Sequence, residues 1–361
     1  MVNTLFSKVK ISAITSAVPE NYKQVDDEID LYGGNKKQIE RIKKTIGLNK
    51  RHVISGKSTA SDLCLYAAKG LIKSMFLSSS DIDGLVVVTQ TPDHFQPCNA
   101  AIIHGKLGLG KLCAALDINL GCSGYVYGLW LAHMMVTGGG CKTVLLLAGD
   151  TISRCVNPKD RSTALLFGDA GSATLVEAAD TETKTYFDLH TDGSGSGLIQ
   201  VPAGAFRYPS NSETSKETKD EDGNWRSQDN LYMNGGEVFN FSLAVEPSAV
   251  TQILDISNSS TRDVDYFIFH QANKYIVNNI AKRLQLPTKK VPCDTVEKYG
   301  NLSSASIPCT INDALSSTIS RHKKKLLLSG FGVGLSWASC IVEVDSILCP
   351  PVMFFKEDGE Q

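Results

Sequence analysis

Nowhere does the chain sustain the run of about 18–20 apolar residues that a membrane-crossing helix requires. Its opening, Met1-Val2-Asn3-Thr4-Leu5-Phe6, lacks the basic-then-apolar layout of a secretory signal. There is no pair of cysteines two residues apart, and none of the ten cysteines stands at zinc-like spacing from a histidine, so no metal site is expected. Most of the cysteines lie in apolar runs such as Ser339-Cys340-Ile341-Val342, as small core residues do in a reducing compartment. An excess of one charge is missing too. Lys and Arg number 36 against 38 Asp and Glu, a net charge of −2, which excludes a global attraction to nucleic acid. The expectation is a cytoplasmic protein with neither membrane nor nucleic acid as a partner.

What is present fits an ordinary globular chain. With 42% hydrophobic and 20% charged residues over 361 positions, it can bury a large core in two domains or two fused halves. Residues 9–17 alternate and stop at Pro19, as a strand does. Residues 26–48 carry a helical pattern rich in base, with Lys36, Lys37, Arg41, Lys43 and Lys44. This is either a solvated face or a docking surface for a phosphate-bearing partner. An amphipathic helix is expected over 58–76, a strand covered on both faces at 84–90, a short helix at 100–107 and a buried strand at 143–150. Phe167-Gly168-Asp169 suits a tight turn into a strand at 173–177.

Residues 209–230 change abruptly to a polar run with few apolar side chains, as in a long mobile loop. Beyond it the pattern gives a helix from Asn234 toward Leu254, a strand at 265–269, helices at 274–284 and 307–319, and a strand at 325–329. A flexible glycine turn at 330–334 leads to a last core strand at 335–344. The tail from about residue 346 reads as peripheral. Strands alternating with helices define an α/β fold, divided near residue 180 into 1–180 and 181–361.

One stretch organises the rest: Leu120-Gly121-Cys122-Ser123-Gly124-Tyr125. A strand-like run at 114–120 leads in and a helical pattern at 125–136 leads out. Cys122 is thus expected where a buried strand turns sharply into a buried helix. A helix start offers unpaired N–H groups and partial positive charge, so a thiol there should ionise more readily than a free one. Taken alone, such a cysteine reads more readily as an inert core residue. His270 ends an apolar strand, where α/β proteins assemble sites and where a satisfied core histidine also fits. Asn301 lies in a turn, a common place for asparagine. The strand–turn–helix device recurs at Cys122 and His270, a hint of two similar halves.

Together these stretches resemble one family. Gly121-Cys122-Ser123-Gly124, His270-Gln271-Ala272-Asn273, the run Tyr299-Gly300-Asn301-Leu302-Ser303-Ser304-Ala305-Ser306-Ile307-Pro308 and Phe331-Gly332-Val333-Gly334-Leu335-Ser336-Trp337 match the β-ketoacyl-acyl carrier protein synthase III enzymes. Gly47 with Arg51-His52, Asp160-Arg161, Phe167-Gly168-Asp169 and Gly236-Glu237-Val238-Phe239 extend the match from about residue 8 to 345. The resemblance implies a thiolase-like fold, two pseudo-repeated halves in a five-layer α-β-α-β-α sandwich, usually a homodimer. It implies an acyltransferase in which Cys122 carries the acyl group as a thioester. His270 and Asn301 would hydrogen-bond the enolate left when malonyl-acyl carrier protein loses CO2. The backbone N–H groups of Cys122 and Val333 would form the oxyanion hole for the Claisen condensation.

Coenzyme A and phosphopantetheine thioesters are then substrates, acyl carrier protein is a partner, and no cofactor is implied. Arg161, Phe239 and Asn273 match pantetheine or coenzyme A contacts. Lys36, Lys37, Arg41, Lys44 and Lys274 fall where carrier protein or coenzyme A docks, and Phe95 and Gln96 where a partner subunit supplies a gate.

The chain also departs from the family pattern. The coenzyme A-clamping Trp and Arg fall on Arg41 and Thr45, the gating Phe on Gln96, a docking basic residue on Tyr275 and an oxyanion-loop glycine on Val333. These departures favour a carrier-bound or unusual acyl donor over acetyl-coenzyme A. Two other functions are compatible with the fold: acyl transfer to an oxygen or nitrogen nucleophile, and a non-catalytic partner subunit. The intact set Cys122, His270 and Asn301 weighs against the latter. The related hydroxymethylglutaryl-coenzyme A synthases need a general-acid glutamate near the cysteine, and no matching acidic motif is found.

Overall fold

The computed structural model describes residues 2–32 and 34–357. Its two large sheets are built from β1 (Val2–Ser7), β2 (Val9–Pro19), β3 (Gly84–Val88), β4 (Ala114–Ile118), β5 (Thr143–Asp150), β6 (Ala170–Ala178), β7 (Lys184–Thr191), β8 (Tyr266–Phe269), β9 (Lys324–Gly332), β10 (Ser336–Val344) and β11 (Met353–Phe355). The first sheet has the order β11-β2-β6-β5-β3-β4 and the second β1-β7-β10-β9-β8. The helices are α1 (Lys36–Ile46), α2 (Ala60–Ser74), α3 (Asn99–Leu107), α4 (Gly124–Thr137), α5 (Gly235–Ile256), α6 (Lys274–Arg283), α7 (Thr295–Tyr299) and α8 (Ser306–Ile319).

The two-residue period of a strand decides what packs where. In β3, Leu85 and Val87 face outward onto α2 and α3, against Ala67, Ala68, Leu71 and Ile103. Val86 and Val88 face inward, onto Tyr125, Val126 and Leu129 of α4. Phe267 and Phe269 of β8 likewise face Val250, Ile253, Val277 and Ile280 of α5 and α6. Ile268 joins the middle layer with Ile307, Ile311 and Leu315 of α8. Burial of each such side chain contributes roughly 1.5–3 kcal/mol. The result is the expected five-layer α-β-α-β-α thiolase-like sandwich, with α4 and α8 between the sheets.

Several local expectations are corrected. Residues 26–48 do not form one helix. A 3-10 segment, Val25–Tyr32, is separated from α1 by Gly34 at φ +74°, and Asn35 caps the new helix start. The strand before Cys122 is not buried. β4 is the outer edge of its sheet, with Ala114 and Ala115 exposed. The 330–334 turn is shorter than expected, because β9 runs through Gly332.

The 209–230 segment is folded. It holds a small hairpin, Thr218–Lys219 with Trp225–Arg226, and Arg226 pairs with buried Asp160 and with Asp220. Its charged side chains pair within the segment and with Asp160. The tail is not peripheral, since β11 pairs with β2 and Val352 is buried. β1, absent from the expectations, pairs with β7. Each end of the chain therefore completes the sheet built mostly by the other half.

The repeat is also paired differently from the hint at Cys122 and His270. The order β2-β6-β5-β3 matches β7-β10-β9-β8, so the strand before His270 corresponds to β3. The Cys122–α4 junction corresponds to the Asn301–α8 junction. Among the described residues, no helix is long and apolar enough to cross a membrane. Among them, too, no group of three His, Cys, Asp or Glu is placed to hold a metal ion.

Candidate active site

Cys122 lies two residues before α4, on a turn that β9 undercuts. A Cβ at residue 330 would stand 2.6 Å from the Cys122 carbonyl oxygen and 2.9 Å from Ser123 Cα, so only glycine permits this approach. His270 prolongs the β8–β9 pairing, its N–H donating to the Ser329 carbonyl at 2.8 Å. Its ring meets the Phe331 ring edge-on at 5.6 Å. Asn301 is fixed by its backbone: its N–H donates to the Leu166 carbonyl at 2.9 Å, and its carbonyl accepts from Gly168 at 3.0 Å. Gly168 has no alternative, because a Cβ there would lie 2.0 Å from the Tyr299 oxygen. The Asn301 Oδ1 accepts from the Ser303 N–H at 3.0 Å, which leaves the amide NH2 as the free donor end.

These three side chains line one cavity of about 470 Å³, the size of a small-molecule site. Its walls are largely apolar, with Ile152, Leu166, Leu231, Met233 and Phe331 among them. Burial pushes the His270 imidazole down to about 3, against a weaker opposing pull from the Ser303 backbone, so the ring is neutral. Burial pushes the Cys122 thiol up to about 12, and the Asp150 charge pushes the same way. Hydrogen bonds from the Val333 and Cys122 N–H groups and from the Ser303 hydroxyl pull against this without matching it. Burial and the Asp150 charge thus act against the ready ionisation expected of a thiol at a helix start.

Ser303 was not singled out from the sequence, yet it touches all three groups. It sits at φ +48°, a left-handed conformation uncommon for a residue with a side chain. A non-glycine residue placed two positions after a turn asparagine gives no sequence signal of that geometry.

The other candidates divide. Val333, Asn273 and Phe95 line the cavity. Asn273 also caps α6 by accepting from the Ile276 N–H at 2.8 Å. Phe95 lies at the rim of its own chain's cavity, its ring 5.2 Å from that of Phe206, while Gln96 is exposed and outside the lining. Arg161 stands outside the lining, donating to the Asp222 carbonyl of the hairpin. Phe239 is outside it as well, stacked on Tyr275 at 5.5 Å. Lys36, Lys37, Arg41 and Lys44 are exposed on α1. Lys274 pairs with Asp294 and Glu297, which pull its ionisation upward.

A five-layer sandwich whose central helix starts at a cysteine facing histidine and asparagine defines a thiolase-fold condensing enzyme. Residues 116–193 match the family described as 3-Oxoacyl-[acyl-carrier-protein (ACP)] synthase III, and residues 254–344 match its C-terminal counterpart. The chain belongs to the 3-oxoacyl-[acyl-carrier-protein] synthase III family, whose members are acyltransferases. It is 36% identical over 359 residues to a putative 3-oxoacyl-[acyl-carrier-protein] synthase 3 of Campylobacter jejuni, covering 99% of this chain and 100% of that one. It is 35% identical to the beta-ketoacyl-[acyl-carrier-protein] synthase III of Campylobacter curvus, covering 93% of this chain and 97% of that one. The crystal structure of a 3-oxoacyl-(acyl-carrier protein) synthase from Burkholderia xenovorans LB400 superposes with a TM-score of 0.91 at 35% identity, covering 98% of this chain and 99% of that one.

Proposed function

We propose that this enzyme condenses an acyl thioester with malonyl-acyl carrier protein through an acyl-Cys122 intermediate, as a step of fatty acid biosynthesis. The observation that carries the reading is the meeting of Cys122, His270 and Asn301 on one largely apolar cavity. In the first half-reaction the Cys122 sulfur attacks the thioester carbonyl, the donor's C–S bond breaks, and the departing thiolate takes up the thiol proton. In the second, malonyl-acyl carrier protein loses CO2, and the electrons of the broken C–C bond become an enolate. The neutral His270 ring and the Asn301 amide donate to the enolate oxygen. Its carbon then attacks the acyl-cysteine, the Cys122 and Val333 N–H groups receive the tetrahedral oxyanion, and the Cys122 sulfur leaves and is reprotonated. Loss of CO2 itself generates the carbanion, so the chemistry asks for neither metal nor organic cofactor.

Acyl carrier protein and acyl-coenzyme A are the partners in this reading, met at the basic face of α1. A homodimer would form along the open edge of β4, where Ala114 and Ala115 are exposed and Leu112 is fully exposed. Intact-protein mass spectrometry with a panel of acyl-coenzyme A and acyl-carrier donors tests the proposal. Wild type gains one acyl mass, mapped to Cys122, and Cys122→Ala gains none. CO2 release from malonyl-carrier protein falls about 100-fold or more in Asn301→Ala, the effect of removing one aimed donor. No adduct with any donor would refute the condensation. An adduct discharged to an alcohol or amine without malonyl-carrier protein would replace it with acyl transfer to oxygen or nitrogen.

A further inference from the structure

At the end of β5, next to the nucleophile, lies a carboxylate with no place in that mechanism. Asp150 is fully buried. Its Oδ1 accepts from the Gln90 N–H at 2.7 Å, the Thr89 hydroxyl at 3.1 Å and, at long range, the Thr91 hydroxyl at 3.5 Å. Its Oδ2 accepts from the Ser304 hydroxyl at 2.7 Å and the Ser304 N–H at 3.1 Å. The Thr89 and Thr91 hydroxyl oxygens also accept from the Thr91 N–H at 3.1 Å and the Thr151 N–H at 2.9 Å, and they lie 3.4 Å from each other. Each carboxylate oxygen thus faces a backbone N–H, which can only donate, beside one or more hydroxyls, and an ionised carboxylate, which only accepts, satisfies this set in full. Burial raises the proton affinity of Asp150, and the Ser304 and Gln90 bonds oppose that rise.

The bonds join the two segments that flank the reactive sulfur. Gln90 lies against Gly121, where an added Cβ would stand 2.4 Å from its Oε1. Ser304 follows the residue that touches Cys122, His270 and Asn301. The thiols whose ionisation the Asp150 charge opposes are Cys122, Cys64 and Cys155.

We propose that Asp150 is a positioning residue: its carboxylate clamps the Ser303–Ser304 segment to the loop after β3 and sets a fixed negative charge near Cys122. The clamp holds Ser303 in its left-handed conformation, and with it the orientation of the Asn301 amide and the contact to the His270 ring.

Two variants test this. Asp150→Asn keeps the shape and removes the charge, while Ser304→Ala keeps the charge and removes one donor. Iodoacetamide labelling of Cys122 at pH 8, followed on the Cys122 peptide by mass spectrometry, reads the charge. Below its midpoint a thiol reacts in proportion to its thiolate fraction, so a shift of about one pH unit reads as about tenfold. Asp150→Asn is expected to label about tenfold faster than wild type, and Ser304→Ala within twofold of it. CO2 release from malonyl-carrier protein reads the clamp, with kcat falling at least tenfold in Asp150→Asn and several-fold in Ser304→Ala. Labelling of folded Asp150→Asn at the wild-type rate overturns the role of the charge, and unchanged kcat in both variants overturns the clamp. If Asp150→Asn does not fold, Ser304→Ala decides, and wild-type kcat there overturns the proposal. Only the turnover arm rests on the condensation reading; the labelling arm stands without it.

Discussion

His270 is pushed down to about 3 by its burial, so its ring carries no charge across the working range of the enzyme. In the proposed reaction it therefore donates a hydrogen bond and does not act as an acid. CO2 release is therefore expected to stay flat between pH 7.5 and 5.5 as far as this residue is concerned. An imidazole at its ordinary value of about 6.5 would be roughly nine-tenths protonated at pH 5.5. A limb near pH 6.5 in the wild type that vanishes in His270→Asn would show that the ring titrates after all. The identities of Cys122, His270 and Asn301 were legible in the sequence because each sits in a distinctive run of neighbours. The state of the thiol was not. A helix start shows in a residue pattern, but the side chains that desolvate the sulfur arrive from β9 and the 301–304 turn, far away in the chain. Ser303 was hidden for a related reason, since its contribution depends on a backbone angle and on what stands opposite.

At the scale of elements, α1 is the clearest candidate for meeting a partner. It packs beside α6, whose capping residue Asn273 lines the cavity, and it turns Lys36, Lys37, Arg41 and Lys44 to solvent. Reversing these four charges to glutamate is expected to raise KM for the carrier-bound substrate at least tenfold and to flatten its salt dependence, with kcat little changed. Steady-state kinetics at two ionic strengths measure both, and unchanged values would make the helix a merely solvated face. Lys274 contributes less to such docking than its position implied, because Asp294 and Glu297 already hold its ammonium.

The hairpin inside 209–230 shows where composition misleads. A polar run without apolar periodicity reads as mobile, yet Arg226 between Asp160 and Asp220 and the hydrogen bonds of Asn211, Asn224 and Asn230 organise it. β4 misled in the opposite sense, since an apolar strand at an open edge carries the same residues as a buried one.

At the scale of the whole molecule, the alternation of strands and helices was enough to assign the α/β class, and the ordered motifs the five-layer sandwich. The terminal strands escaped because their partners lie in the opposite half. β11 is tied down at several points: it pairs with β2, Val352 is buried, and the Glu20 N–H donates to the Phe355 carbonyl at 2.8 Å. Ending the chain at Pro351 is expected to cost about 3 kcal/mol, from one buried apolar side chain and a few hydrogen bonds. A urea titration followed by fluorescence would show the midpoint falling, and an unchanged midpoint would show that the strand is dispensable.

β11 follows every other strand of its sheet along the chain. Until it docks, the backbone edge of β2 is open to any other extended peptide. A chain of this design is exposed to mispairing with its neighbours during that interval, and chaperone occupancy of that edge is where a folding defect in a tail variant would first be seen.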